Sequence, residues 1–71
     1  KLTYKEQKEL DDSEARIGEL EALVETLANS LLAIDSNDYK KMQEINQEIE
    51  KHQAELDRVT ERWLELSEKV S

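Results

Sequence analysis

His52 is the only histidine of the 71-residue chain, and Glu48 and Glu55 stand one helical turn to either side of it. Imidazole flanked by carboxylates is the raw material of a metal site or a pH switch. A single imidazole with solvated carboxylates holds a transition metal poorly, so His52 reads as a structural residue at the edge of an apolar seam, with pH sensing as its alternative chemistry. The 18 Asp and Glu side chains are numerous enough to pair as acid and base, but catalytic carboxylates need a concave, partly desolvated setting. The sequence contains no Gly-rich phosphate loop, no Ser/His/Asp set and no metal-spaced cluster. No catalytic, cofactor-binding or metal residue is assigned, and no small-molecule substrate is expected.

The remaining chemistry is cationic. Lys1, Lys5, Lys8, Arg16, Arg58, Arg62 and Lys69 all fall toward the two chain ends, and Lys5, Lys8, Arg16, Arg58 and Arg62 are the candidate contacts to a nucleic acid or other partner. They are interleaved with acids. Residues 1–16 carry four basic and five acidic side chains, and residues 55–71 carry three and five. The chain as a whole has a formal net charge of −8, which repels phosphate unless cations are sorted onto one face. Arg58 and Arg62 also have an ordinary use as partners, one helical turn away, of carboxylates in their own helix.

Charged residues make up 39% of the chain and aromatic residues 4%, Pro is absent and Gly occurs once, a composition of long solvated helices. Thr3 and Glu6 have the spacing of a capping box. From there a heptad seam runs through Leu10, Ser13, Ile17, Leu20, Val24, Leu27, Leu31 and Ile34, with a positions at 10, 17, 24 and 31. Asp35-Ser36-Asn37-Asp38 is the one interior cluster of turn and capping residues. A second seam follows through Met42, Ile45, Ile49, His52, Leu56, Val59, Trp63, Leu66 and Val70. The expected fold is all-α, a two-helix antiparallel coiled-coil hairpin forming one domain over residues 1–71. Helix 1 is placed at about 3–34, the tip at about 35–38 and helix 2 at about 39–70.

An antiparallel seam sets a against d, so facing residues have numbers adding to 76. Ile34 then meets Met42, Leu31 meets Ile45, Leu27 meets Ile49, Val24 meets His52, Leu20 meets Leu56, Ile17 meets Val59, and Leu10 meets Leu66. Small Ser13 meets bulky Trp63, whose indole is expected to fill the space the serine leaves. Leu23, Leu32 and Leu64 lie beside or outside this seam. The chain opens on Lys1, and its only methionine is the internal Met42, so it reads as a piece of a longer protein. No apolar run approaches the length of a membrane span; no membrane partner is expected, and the cytoplasm is the expected location.

The opening Lys1-Leu2-Thr3-Tyr4-Lys5-Glu6-Gln7-Lys8-Glu9-Leu10, the acidic tip with Asp38-Tyr39 and the closing Glu61-Arg62-Trp63-Leu64-Glu65-Leu66 resemble the C-terminal coiled-coil domain of ABC-F ATPases of the Uup type. The resemblance covers essentially the whole chain. It implies a bacterial protein with two ATP-binding cassettes, using ATP and Mg outside this chain, and a hairpin appended after the second cassette. It implies action at the ribosome in translation, with DNA binding associated with the hairpin in the Uup branch. This chain departs from basic members in its acidity, and its tip lacks a proline. The leading expectation is a non-catalytic interaction module that positions the ATPase on a ribosome or contacts the parent's own cassettes. The alternatives are direct DNA or RNA binding through the basic end, and a structural or self-associating coiled coil.

Overall fold

The computed structural model describes residues 1–70. Two helices account for nearly all of them, α1 (Tyr4–Leu32) and α2 (Tyr39–Val70), and they pack against each other as a hairpin. The capping box forms: Thr3 Oγ1 accepts from the Glu6 amide at 3.1 Å, and the Glu6 carboxylate accepts from the Thr3 amide at 3.1 Å. Two of the four amides that a helix start leaves without partners are thereby satisfied.

Helix α1 ends at Leu32, two residues before the expected Ile34. No basic side chain stands in its last turn to offset the carbonyl end of the dipole. The Asp35 carboxylate accepts from the Asn37 amide at 2.9 Å, and the Asp38 amide donates to the Asp35 carbonyl at 2.9 Å. These local bonds give the backbone an alternative to another helical turn. Asp38 then caps α2, its carboxylate accepting from the Lys41 amide at 3.2 Å. The tip turns with no residue at positive φ among those described, so a type of turn that demands glycine is not needed.

The described residues form a rod of 54 × 17 × 14 Å. Its fully buried side chains are Leu20 and Leu66, with Leu10 and Ser13 nearly so; Leu20 lies near the middle of the rod and the other three in the half away from the tip. Ile17, Leu56 and Val59 in that half are only partly buried, as are Val24, Leu27, Leu31, Ile34, Met42, Ile45, Ile49 and His52 toward the tip. Two helices alone cannot enclose a seam. Val70, the last apolar residue at the spacing of the second seam, is 61% exposed. The residue due to face it is Glu6, which offers no apolar surface and is instead bonded to Lys69. Leu32 is 87% exposed beside the tip, while Leu23 and Leu64 are about half covered.

His52 Nδ1 is buried without a hydrogen-bond partner. An unmet buried polar atom costs about 1–3 kcal/mol, which predicts that His52→Leu raises the melting temperature, by roughly 4–8 °C for each kcal/mol recovered. Thermal circular dichroism of the two chains at neutral pH checks this, and a lower melting temperature for the leucine chain refutes it.

Candidate partner-binding surface

Residues at heptad positions g and e flank a coiled-coil seam on its two sides, and in an antiparallel pair g faces g and e faces e. With a at 10 and 17, the g side of α1 carries Glu9 and Arg16, and the g side of α2 carries Glu55 and Arg62. The structure joins them crosswise. Arg16 donates to both oxygens of Glu55 at 2.7 and 3.0 Å and to Glu19 at 3.0 Å. Arg62 donates to both oxygens of Glu9 at 2.7 and 3.0 Å and to Glu65 at 3.0 Å. Each guanidinium is a two-pronged clamp between helices with a third bond to its own helix. Lys69 closes the open end against Glu6.

These bonds set the ionisation of the end. Lys69, with help from the Thr3 amide, holds the Glu6 carboxyl down at about 2. Hydrogen bonds from Arg62 and Arg16 hold Glu9 and Glu55 below the ordinary carboxylate value of 4.5. Carboxylates with depressed folded-state pKa contribute stability that is complete above their unfolded value and is lost as the pH falls through the folded one. A chain carrying Glu6→Gln, Glu9→Gln and Glu55→Gln is therefore expected to melt below the parent at pH 7. The gap should close as the pH falls from about 4.5 toward about 2. Melting curves of both chains across that range check it, and a gap that widens in acid contradicts the assignment.

The five candidate cations separate into two groups. Arg16 and Arg62 are consumed in the clamps. Lys5, Lys8 and Arg58 are exposed and make no ion pair among the described residues. The expectation that Arg58 and Arg62 serve carboxylates one turn away in their own helix holds in part, since Arg62 bonds Glu65 at 3.0 Å. Arg58 pairs with none, and Arg62 spends its bidentate face across the hairpin. Arg62 does not stand free as a contact residue, because a neighbouring carboxylate on the other helix lies within reach of its long side chain.

The e side is different. Between Glu14 and Glu21 of α1 and Asp57, Thr60, Glu61 and Trp63 of α2 runs an open groove whose floor includes Ile17 and Leu56. The part beneath Trp63 has a volume of about 250 Å³. Trp63 is only partly buried, and its indole N–H donates to Glu14 at 3.1 Å. The indole thus forms a wall of the groove. No ion pair between the helices lies on this side among the described residues.

Among the described residues no three of His, Cys, Asp or Glu gather to hold a metal ion, and no helix is long and apolar enough to cross a membrane. The one glycine, Gly18, lies inside α1, so the chain has no loop able to cradle a nucleotide phosphate. A family model described as ABC transporter C-terminal domain matches residues 1–68. The chain is 42% identical over 67 residues to the uncharacterized ABC transporter ATP-binding protein YfmR of Bacillus subtilis (strain 168). That match takes in 94% of this chain and 10% of the relative. No solved structure matches.

Proposed function

The chain belongs to the ABC transporter C-terminal domain family, and from that premise we propose that it is a non-catalytic interaction module of an ABC ATP-binding protein, acting in the cytoplasm. Its role is to set that ATPase against a nucleoprotein partner, the ribosome in translation. ATP and Mg belong to cassettes elsewhere in the protein. The chain spans about a tenth of its relative's length, which leaves ample room for such cassettes.

The observation that carries this reading is how the charge is spent. Two of the three arginines of the basic end, Arg16 and Arg62, are tied into the hairpin by carboxylates, so the end that resembles a nucleic-acid grip is largely neutralised from within. A stiff rod with internal clamps and partly covered apolar side chains is built to be docked against rather than to wrap phosphate. Direct DNA or RNA binding would rest on Lys5, Lys8 and Arg58 alone, and it predicts an affinity that falls steeply with salt.

The test is to remove residues 1–71 from the full-length ATP-binding protein and measure co-sedimentation with ribosomes alongside ATP turnover. Lost association with basal turnover retained is expected. Unchanged association overturns the proposal. Association that the intact protein loses steeply with salt, and that disappears in a Lys5, Lys8 and Arg58 alanine variant, would move the reading to direct nucleic-acid contact.

A further inference from the structure

We propose that the e-side groove beside Trp63 is a docking site for a basic amphipathic helix of a protein partner, which lies between α1 and α2 as a third strand of the coiled coil. This deepens the reading of the hairpin as an interaction module and rests on it for the existence of a partner.

Three observations converge. The groove has an apolar floor, with Ile17, Leu56 and Trp63 partly uncovered in the half of the rod where the seam is otherwise best packed. A third helix covers these side chains without disturbing the clamps, which occupy the opposite flank. The rim is uniformly acidic: Glu14, Glu21, Asp57 and Glu61 line it, with no Lys or Arg. Glu14 accepts only the indole N–H, and the other three make no ion pair among the described residues. On the opposite flank the carboxylates beside the same layers are met by Arg16 and Arg62, whereas the acids that line this groove have no cation of the chain against them among the described residues.

That combination selects the occupant by charge complementarity. A helix lays its apolar face into such a groove with anchors at i, i+3, i+4 and i+7. Lys or Arg at the positions flanking those anchors reaches the four carboxylates. From Glu14 to Glu21 is seven residues, about 10 Å at 1.5 Å per residue, so some two turns of the occupant make the contact. Phosphate backbones and anionic lipid are repelled by the same rim.

Trp63 is the chain's only tryptophan and forms the groove wall, so its fluorescence reports occupancy. The probe is a tryptophan-free peptide of about three heptads with leucine at a and d and lysine at every flanking position. Two control peptides have the same leucines flanked by glutamate, or the same composition with the heptad scrambled. A saturable blue shift with the lysine peptide alone is expected. A chain with Glu21→Lys, Asp57→Lys and Glu61→Lys should bind it roughly tenfold or more weakly, since rim charges govern encounter and discrimination. A chain with the same charge change outside the groove, Asp12→Lys, Glu44→Lys and Glu48→Lys, should bind within about twofold of the parent on the same grounds.

Circular dichroism establishes that each variant is folded. If the lysine variant is not, Glu21→Gln, Asp57→Asn and Glu61→Gln replaces it, with a smaller loss expected. Equal weakening by the two sets of substitutions, comparable binding of either control peptide, or no spectral change at saturating peptide overturns the groove assignment. None of these outcomes bears on the ribosome measurement, so the two proposals fail separately.

Discussion

Leu66→Ala is expected to leave little of the hairpin folded at room temperature. Leu66 is fully buried, one of two such side chains in the described residues, and Leu10 and Ser13 are the other buried side chains of the open half. Truncating a buried leucine removes its transfer free energy and leaves a cavity, together worth about 2–5 kcal/mol. Small domains hold only about 0.05–0.15 kcal/mol per residue in total, so one such loss rivals the whole stability of a chain this size. Val70→Ala, four residues on in the same helix, is the internal comparison. Val70 is 61% exposed, and its truncation should cost no more than the about 0.5 kcal/mol typical of surface changes. Helical ellipticity at 25 °C and the melting curve of each chain measure this. Similar stabilities for the two variants would mean that the open half does not hold the core.

The second large effect concerns the clamps. Arg16→Glu with Arg62→Glu places acid against acid at both crossings, because Glu55 and Glu9 then face glutamates and Glu19 and Glu65 crowd them from the same helix. The melting temperature should drop markedly, more than the sum expected from two isolated surface pairs, because both crossings sit beside the best buried layers. Glu9→Arg with Glu55→Arg, added to the same chain, reverses the polarity and should recover most of the loss. Recovery is the informative part. A loss through side-chain packing alone would not respond to the restoring pair, and raised salt should narrow the gap between the Arg16→Glu, Arg62→Glu chain and the parent.

The two antiparallel helices, the Thr3–Glu6 cap and the placement of the turn near Asp35–Asp38 were all legible in the residues, because each follows from local spacing. The end of α1 was not. Whether Ala33 and Ile34 continue the helix depends on the competition between one more turn and the bonds that Asp35 makes, which residue types do not decide. The clamps were missed because Arg62 has carboxylates one turn away in its own helix, and that pairing is the first that periodicity suggests. A signal was nonetheless present. Glu9-Leu10-Asp11, Arg16 and Glu19-Leu20 recur 46 residues later as Glu55-Leu56-Asp57, Arg62 and Glu65-Leu66, six identities in twelve positions. Folding the chain back on itself brings the two copies side by side and antiparallel, so the Glu of each meets the Arg of the other. The same three bonds at the same distances appear in both copies. The groove was less visible still. Its acids are scattered over 48 positions, and only the register of α1 on α2 gathers them around Trp63.

The repeat also accounts for the division of labour between the flanks. On the g side both copies supply an Arg and a Glu, and the charges cancel. On the e side α1 supplies Glu14 and Glu21 while α2 supplies Thr60, so nothing cancels and the seam stays open. A structural demand on one flank and a recognition surface on the other can then vary independently.

That the hairpin works by docking rather than by chemistry is tested most directly by competition. The full-length ATP-binding protein is allowed to associate with ribosomes, the 71-residue chain is added in excess, and the fraction of full-length protein that pellets is measured. Displacement by the parent chain is the expected result, with ATP turnover in the absence of ribosomes unaffected. Retention of the full-length protein at saturating amounts of a folded 71-residue chain, or a change in basal turnover without displacement, would contradict it.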